Sequence, residues 1–347
     1  MTPEEALDAC LSDFALGADG RPVGLAVSGG GDSMALLHVA AARKARLGAP
    51  VLAATVDHGL RPGSADEARA VAVACAGLGV PHETLRWEGW DGRGNLQAEA
   101  RGARRRLLAD WAGRRGAGGV LLAHTADDQA ETVLLRLARG SGVDGLSGMQ
   151  PLVLAHGTAF ARPFLDLPRE DLRAWLRARG VAWAEDPSND DPRFDRARAR
   201  MMMGHLADLG LTRERLVRTA GHMGRALVAL NLRAAEEAKR VATTEDGALL
   251  LPGSLLASLA SSDTSGRLLA AALMWVGGRP RRPRWEALRR LAASVSAGRV
   301  ATLSGCRVCL VGDRVRIAPE PGRARPRGGA WDFATFVGAG EEDGWGS

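Results

Sequence analysis

The stretch Val23-Gly-Leu-Ala-Val27-Ser28-Gly29-Gly30-Gly31-Asp32-Ser33 runs from a short apolar segment into a glycine-rich turn, and an apolar helical pattern follows from Met34. A strand, a glycine turn and a helix start together form a phosphate cradle. Glycines let the backbone approach anionic oxygens, and the first N–H groups of the helix point at them. The turn therefore predicts phosphate binding by Ser28, Gly29, Gly30, Gly31, Asp32 and Ser33.

Asp32 is the unusual member of this turn. A carboxylate beside a phosphate is repulsive unless a cation lies between them, so Asp32 predicts a bound Mg²⁺. The turn also lacks the lysine of the P-loop signature G-x-x-x-x-G-K-S/T. The sequence therefore predicts a metal-assisted phosphate site that differs from a P-loop.

Length and composition limit the classes of protein to consider. A chain of 347 residues with 46% hydrophobic residues predicts two or more compact units with a sizeable core. No apolar run approaches ~20 residues, so no membrane span is expected. The acidic start, Met1-Thr-Pro-Glu-Glu-Ala, does not resemble a secretory signal, and four cysteines do not make a disulfide framework in a chain this long. These features favour the reducing cytoplasm.

Positive charge comes almost entirely from arginine. The net charge is +6, and Lys44 and Lys239 are the only lysines. The excess permits a polyanionic partner such as nucleic acid. A compositional bias toward arginine, alanine and glycine explains the same excess, so both alternatives stay open.

Residues 22 to about 140 alternate between strand-like and helix-like runs. The strand-like runs are Val23–Val27, Val51–Val56, His82–Trp87 and Val120–Ala123. The helix-like runs are Met34–Leu47, Ala65–Leu78, Leu96–Trp111 and Gln129–Leu137. The alternation predicts an α/β fold with a doubly wound, mostly parallel sheet and helices on both faces.

Polar clusters follow three of the predicted strands. The first is the glycine-rich turn, and the others are Asp57-His58-Gly59-Leu60-Arg61 and His124-Thr-Ala-Asp127-Asp128-Gln129. Because ligands bind at the carboxyl ends of strands in such sheets, we expect all three clusters to line one crevice. Each cluster has an alternative: Asp57-His58-Gly59 is also an ordinary turn sequence, and the aspartates also suit a helix N-terminus.

Asp127 and Asp128 are adjacent, so they cannot face the same way on a helix or a strand. We expect Asp128 to point into the crevice and Asp127 to cap a helix or stay solvated.

Two arginine-rich segments have both functional and solvated interpretations. Helical spacing after Asn95 places Arg101 and Arg104 near one side, where they could neutralise phosphate or hold RNA. Arg196, Arg198 and Arg200 lie at alternate positions, which do not share a helix face. That spacing favours an extended clamp along a phosphate backbone, or a mixture of functional and surface arginines.

The alternation ends near residue 140, and the remaining chain is organised differently. We predict a catalytic domain over 1–214 with a helical extension over about 165–214, a mixed α+β accessory domain over 215–320, and a disordered tail over 321–347. The helices expected after residue 165 are Arg169–Arg179, Thr212–Arg240, Arg267–Trp275 and Trp285–Ser296, and the strands are Ala248–Leu251, Val300–Leu303, Arg307–Val311 and Val315–Ile317. In the accessory domain the candidate RNA contacts are Arg281, Arg282 and Arg284.

Cys306-Arg-Val-Cys309 has the spacing of a metal-binding pair. A zinc or iron–sulfur site would need further ligands, and Cys10 and Cys75 belong to other regions. Because the segment alternates like a strand, we favour structural cysteines.

The motifs in order resemble the tRNA(Ile)-lysidine synthetases of the N-type ATP pyrophosphatase, or PP-loop, superfamily. The resemblance covers roughly residues 22 to 205. Its motifs are Ser28–Ser33, Thr55–Arg61, Asn95 with Gln97, Ala98, Arg101 and Arg104, Ala123–Thr132, Arg139–Gly142, Gly145–Met149, Arg162–Leu165, Asp186–Asn189 and Arg196–Arg200.

The resemblance implies the function and its partners. ATP would adenylate the C2 oxygen of the wobble cytidine in a tRNA(Ile) with a CAU anticodon, and pyrophosphate would leave. Free L-lysine would then attack C2 and expel AMP, giving lysidine.

The resemblance also implies roles for particular residues. ATP would bind the turn from Ser28 to Ser33 together with Asp57 and His58. Asp32, Asp128, Arg101 and Arg104 would be the catalytic residues, with Asp128 as the first candidate to accept the proton of the attacking amine. Asp127, Asp128 and His124 are candidates for lysine binding.

Two alternatives remain: a PP-loop enzyme that thiolates a tRNA base, and an inactive nucleotide- or RNA-binding protein. Enzymes that thiolate generally use cysteines near the crevice, and no cysteine follows the three polar strand ends. The oligomeric state is open, with a homodimer among the alternatives.

Overall fold

The structure is a computed structural model that describes residues 1–59, 63–88, 90, 96–185, 193, 195–279 and 281–321, with Gln97 and Ala98 described in backbone only. The chain divides into two compact units. The first unit comprises Met1–Gly224, and the second begins at Arg225.

The first unit contains a six-stranded sheet. Its strands are β1 (Val23–Ala26), β2 (Val51–Asp57), β3 (His82–Arg86), β4 (Gly119–Leu121), β5 (Leu152–Ala155) and β6 (Thr158–Ala161). Their order is β3-β2-β1-β4-β6-β5, and every neighbouring pair is parallel except the β5–β6 hairpin. Because β1 lies between β2 and β4, the direction of winding reverses there, and this switch point is where such sheets bind ligands.

The described helices that begin in this unit are α1 (Pro3–Asp13), α2 (Gly31–Leu47), α3 (Ser64–Gly77), α4 (Leu96–Arg115), α5 (Ala126–Ala138), α6 (Val143–Leu146), α7 (Arg169–Arg177), α8 (Asp195–Asp208) and α9 (Arg213–Val241). Helices pack on both faces of the sheet: α1, α2, α3 and α7 on one face, and α4 on the other. The division between the two units falls within α9.

Alternation along the buried strands creates two separate apolar clusters. Leu25 of β1 packs with Leu36 of α2 and Leu172 of α7 on one face. Ala26, the next residue, packs with Leu108 and Trp111 of α4 on the other. Glycine at position 24 is required by this packing, because a Cβ there would lie 2.7 Å from the Trp111 ring. The doubly wound α/β prediction is therefore confirmed.

The second unit has an antiparallel sheet and a helical layer. Its strands are β7 (Thr243–Glu245), β8 (Ala248–Pro252), β9 (Ala301–Leu303), β10 (Cys306–Val311) and β11 (Arg314–Pro319), in the order β7-β8-β11-β10-β9. Its further helices are α10 (Ser254–Ser258), α11 (Asp263–Gly277) and α12 (Trp285–Ser296). The core contains Leu251 and Ile317 from the sheet with Leu269 and Leu288 from the helices.

The elements predicted from periodicity are present with small shifts at their ends. The elements that were not predicted are α1, the hairpin β5–β6, α8 and the short elements α6, β7 and α10. Of the two alternatives for Arg196–Arg200, the extended clamp is wrong, because Asp195–Asp208 is helical. Ala197 and Ala199 are buried in that helix, whereas Arg198 between them is exposed.

Candidate active site

The glycine-rich turn links β1 to α2 and is closed by the Ser33 hydroxyl. This hydroxyl accepts from the Ser28 N–H at 3.1 Å and donates to the Gly30 carbonyl at 2.9 Å. Gly29 has φ +92°, which favours glycine. The cap of α2 is Gly30, so no side chain caps this helix N-terminus, and its first N–H groups face the turn.

Asp32 lies in the first turn of α2 with its two oxygens in different environments. Oδ2 accepts a hydrogen bond from Arg169 Nε at 2.9 Å. Oδ1 is buried and has no hydrogen-bond partner among the described residues. Burial raises the pKa of Asp32, and neighbouring Asp128 adds to that rise against the opposing charge of Arg169. One carboxylate oxygen is thus left for a cation.

Asp128 lies at the start of α5, directly after β4, and its two oxygens serve different purposes. Oδ2 accepts from the Thr125 N–H at 2.8 Å and from the Thr125 hydroxyl at 3.0 Å, which caps the helix. Oδ1 contacts Arg169 Nη2 at 2.9 Å on the crevice side. Burial would raise the pKa of Asp128, but the charges of Arg169 and Arg196 hold it well below its usual value. Asp128 is therefore ionised.

Glu131 lies one turn further along α5, on the same side as Asp128, and although it belongs to the motif Ala123–Thr132, no role was predicted for it from the sequence. Its side chain is only 2% exposed, and Oε1 contacts Arg200 Nη2 at 2.9 Å. Oε2 is buried without a hydrogen-bond partner among the described residues. Burial raises the pKa of Glu131, and Asp128 adds to the rise. Glu131 Oε2 is thus a second carboxylate oxygen of the crevice that could accept a cation or a proton.

Arg169 joins these carboxylates and was also missed. Its guanidinium contacts both Asp32 and Asp128 at 2.9 Å and approaches Glu131 Oε1 at 3.8 Å. The first residue of α7 thereby connects α2 with α5. The only sequence signal was an arginine at a helix start, where positive charge opposes the helix dipole.

Asp127 faces away from this cluster. Its Oδ2 accepts from the Arg169 backbone N–H at 2.7 Å, which caps α7, and its Oδ1 accepts from Arg213 at 3.3 Å. The two aspartates of this motif therefore point in different directions, as their adjacency requires.

Asp57 and His58 follow β2, the neighbour of β1. Asp57 Oδ1 accepts from the Gly59 N–H at 2.9 Å, and that bond is the main cause of its lowered pKa. The His58 ring meets Trp87 edge-on at 5.6 Å. Burial and the charge of Arg104 lower the pKa of His58, so the imidazole is neutral near pH 7.

Positive charge accumulates beside Asp128. Burial lowers the pKa of Arg101 to about 10, with Arg196 contributing, and burial and Arg196 also lower the pKa of Arg104. The pKa of half-buried His124 is lowered by desolvation and then by Arg162. These mutual effects place Arg101, Arg104 and Arg196 in one electropositive cluster with a neutral His124.

The helix α8 separates the arginines of its motif. Arg196 Nη1 lies 4.0 Å from Asp128, and Arg200 contacts Glu131, so these two residues, one turn apart, face the crevice. Arg198 is exposed and pairs with Asp195. In the second unit Arg281 and Arg284 are exposed and Arg282 is half-buried.

Some predicted positions lie outside the described residues. They are Leu60, Arg61, Asn95, the motif 186–189 and the tail from residue 322. Within the described part, no cluster of three or more His, Cys, Asp or Glu is arranged around a metal position. No described helix combines the length and apolarity that a bilayer span needs.

Cys306 and Cys309 lie on opposite faces of β10, because they are three residues apart on a strand. Cys306 is buried and donates to the Leu273 carbonyl at 3.2 Å, whereas Cys309 is half-buried. This geometry is that of a core thiol and a neighbouring surface position.

Comparison with known proteins matches residues 3–206 to the PP-loop domain. The chain is 44% identical over 316 residues to the tRNA(Ile)-lysidine synthase of Ruegeria pomeroyi, covering 90% of this chain and 75% of that one. It is 45% identical to the tRNA(Ile)-lysidine synthase of a Methylobacterium species, covering 90% of this chain and 93% of that one. A third relative of the same name, from Methylobacterium nodulans, is 46% identical over 88% of this chain and 92% of its own length.

Among solved structures, the chain is similar to the U34-tRNA thiolase NcsA from Methanococcus maripaludis, with a TM-score of 0.52. Sequence identity is 17%, and the match covers 64% of this chain and 80% of that one. At this identity the likeness shows a shared fold.

Proposed function

This chain belongs to the tRNA(Ile)-lysidine synthases, and from that premise we infer that it ligates free L-lysine to C2 of the wobble cytidine in the CAU anticodon of tRNA(Ile). ATP drives the ligation, and pyrophosphate and AMP are released. The enzyme is thus an ATP-dependent carbon–nitrogen ligase that modifies tRNA. We also expect it to act in the cytoplasm.

The observation that carries this proposal is the meeting of two chemically different half-sites at the switch point of the sheet. The glycine-rich turn after β1 offers N–H groups to phosphates. The start of α5 after β4 offers the buried carboxylates of Asp128 and Glu131. Both half-sites contact the same guanidinium, that of Arg169. The first half-site suits the phosphates of a nucleotide, and the second suits the ammonium group of an amine substrate.

Mg²⁺ fits the nucleotide half-site. Mg²⁺ in phosphate-transfer sites is commonly held by one or two carboxylates together with substrate phosphates. The unpartnered Asp32 Oδ1 supplies one such ligand. When bound, the ion would neutralise charge that develops on the departing pyrophosphate.

The first step is adenylation of the base. The C2 oxygen of cytidine attacks the α-phosphorus of ATP, and the bond to the β-phosphate oxygen breaks. We assign ATP binding to Ser28–Ser33, Asp57 and His58, whose strands are neighbours in the sheet. Arg101 and Arg104 would stabilise negative charge on the phosphates, because their burial strengthens electrostatic attraction. The flipped base comes from a single-stranded loop, which limits the cost of unstacking.

The second step is attack of a lysine amine on C2, which expels AMP. Asp128 is ionised, so it suits binding of the substrate's ammonium group. A carboxylate with so low a pKa is a weak base, and Glu131, whose pKa is raised, is the better proton acceptor. Neutral His124 beside Asp128 adds no charge that would repel lysine. Both carboxylate oxygens of Asp127 already accept hydrogen bonds, from the backbone of α7 and from Arg213, so we propose that Asp127 is a positioning residue.

The tRNA supplies many phosphates for arginine to contact. We propose Arg196, Arg198 and Arg200 in the first unit and Arg281, Arg282 and Arg284 in the second as such contacts. Arg198, Arg281 and Arg284 are exposed, and Arg196, Arg200 and Arg282 are half-buried. Guanidinium groups bind phosphate with geometric selectivity, and this binding depends strongly on salt.

The test combines the full-length protein with ATP, Mg²⁺, labelled lysine and a tRNA(Ile) transcript bearing CAU. We expect label to enter the tRNA in a one-to-one ratio with released pyrophosphate. A transcript of the methionine tRNA, which has the same anticodon, is the specificity control. Pyrophosphate release without label incorporation, or neither product, would contradict the proposal.

A further inference from the structure

Arg169 has an unusual position for an arginine. It is the first residue of α7, after the cap Pro168, at the end where the helix dipole disfavours a cation. Its side chain is only 17% exposed. Neither its placement nor its burial stabilises α7, so the reason for an arginine here lies in what its guanidinium contacts.

The base of this side chain is held firmly. Leu172 and Leu176 bury the inner face of α7 in the apolar core. The Arg169 N–H donates to Asp127 at 2.7 Å. The backbone of Arg169 is therefore fixed in place, and only its side chain can change hydrogen-bond partners.

The guanidinium occupies the place that cations of the reaction need. It holds Asp32 Oδ2 on the nucleotide side and Asp128 Oδ1 on the lysine side. An ammonium group at Asp128 would compete with it for Oδ1, and a metal ion at the other oxygen of Asp32, Oδ1, would repel it. ATP phosphates, by contrast, are anions that would attract it, so a bound nucleotide offers Arg169 a replacement partner.

We propose that Arg169 is a positioning residue that couples lysine binding to nucleotide binding. Without nucleotide it bridges Asp32 and Asp128 and thereby occupies the carboxylate that lysine needs. With nucleotide bound it pairs with phosphate oxygens, and Asp128 becomes available to the lysine ammonium. This coupling rests on the proposed function, since it takes lysine and ATP as the two ligands.

The experiment is calorimetric titration of L-lysine into the full-length protein, with and without Mg²⁺ and the non-cleavable analogue α,β-methylene-ATP. For the wild-type protein we expect the analogue to tighten lysine binding about tenfold, within the usual range of coupling between sites. Thermodynamic reciprocity requires lysine to tighten binding of the analogue by the same factor. A ratio near one in the wild-type protein would overturn the proposal.

Two substitutions separate coupling from mere structural support. In Arg169→Gln the coupling ratio should fall to about one, with lysine binding the nucleotide-free protein more tightly than in wild type. Arg169→Lys keeps a charge that maintains the fold, but one ammonium cannot reproduce the planar two-pronged bridge, so its ratio should also fall. An unchanged ratio in folded Arg169→Lys would overturn the proposal.

The matched control is Arg177→Gln, which removes an arginine of the same helix whose partner is the exposed Glu170. Its coupling ratio should equal that of the wild-type protein, and a smaller ratio there would assign the effect to α7 in general. Lysidine formation by the wild-type protein is measured separately. Lysidine formed without coupling overturns only the role of Arg169, whereas lysine that fails to enter tRNA overturns the proposed function.

Discussion

The two units of this protein use arginine in opposite ways. In the first unit, Arg169 is largely buried among Asp32, Asp128 and Glu131. In the second unit, Arg281 and Arg284 lie on the surface of an aliphatic core. The number of arginines in a unit therefore says little about its function. The environment of each guanidinium decides its use: Arg169 lies among several carboxylates of a crevice, whereas an arginine on the surface is accessible to phosphate in solution.

A buried arginine is not by itself a sign of chemistry. Arg267 of the second unit is only 4% exposed, but it donates to Asp263 at 2.6 Å and to Asn231 at 2.8 Å. The first bond lies within α11, and the second joins α11 to α9. The cluster of the first unit differs because Asp32 and Glu131 each keep a buried oxygen without a partner among the described residues.

The largest effect is expected at Asp32. Asp32→Ala removes the oxygen available to a cation and should slow pyrophosphate release by about a thousandfold. The affinity for tRNA should change little, because Asp32 lies in the glycine-rich turn that we assign to ATP binding. The measurement is pyrophosphate release together with tRNA affinity. The exposed Asp110→Asn is the control, and equal turnover of the two variants would remove Asp32 from the reaction.

A smaller effect is expected at Asp128. Asp128→Asn keeps the size of the side chain but removes the charge that we propose binds lysine, so kcat/KM for lysine should fall about a hundredfold. Adenylated tRNA should accumulate in a single-turnover reaction.

Asp127→Asn is the matched comparison, because it alters the neighbouring residue, which contacts α7 and Arg213 instead. We expect it to lower the stability of the protein with much less change in lysine kinetics. If both variants behave alike, Asp128 serves only as a helix cap.

The surface arginines of the second unit should have a weaker influence. Replacing Arg281 and Arg284 by Gln should lower tRNA affinity roughly tenfold. It should also reduce the slope of log affinity against log salt by ~0.9 for each duplex phosphate that the variant no longer neutralises. Arg240→Gln is the control, since it removes another exposed arginine of the second unit that is not among the proposed tRNA contacts. A double variant with the wild-type slope would make these arginines a feature of composition only.

The smallest expected effect concerns how fast the cysteines of the two units react with a thiol reagent. Burial raises the pKa of Cys10 to about 12 and that of Cys75 to about 11, and Cys306 is buried in the second unit. A thiol reagent at pH 8 should therefore label only the half-buried Cys309 quickly, whereas all four thiols should react in denaturant. Rapid native labelling of Cys10 or Cys75 would contradict the close packing of the first unit.

The fold was predictable where local periodicity and tertiary packing agree. The runs at Val23–Val27 and Val51–Val56 are buried strands, so their apolar pattern was sufficient. The helix α8 was missed because arginines interrupt any apolar stripe at its start, where the buried residues, Ala197 and Ala199, are small. The hairpin β5–β6 lies in short segments whose partners are set by the rest of the sheet.

The part of the candidate site that could be predicted from the sequence consists of residues that directly follow strands of the parallel sheet. The parallel sheet brings the residues that follow β1 and β4 to one edge, so the sequence pattern alone placed Asp32 and Asp128 together. Arg169 could not be found this way. It is 137 positions from Asp32 in the chain, and only the packing of α7 brings them into contact.

The most direct test of the proposed function is mass analysis of nucleosides from tRNA(Ile) after incubation with the wild-type protein, ATP, Mg²⁺ and lysine. We expect the wobble cytidine to be replaced by a nucleoside with the mass of cytidine plus lysine less one water. We also expect Asp32→Ala to give none of this product. Unmodified cytidine, or a cytidine with sulfur in place of oxygen, would contradict the assignment of this chain as a lysine ligase.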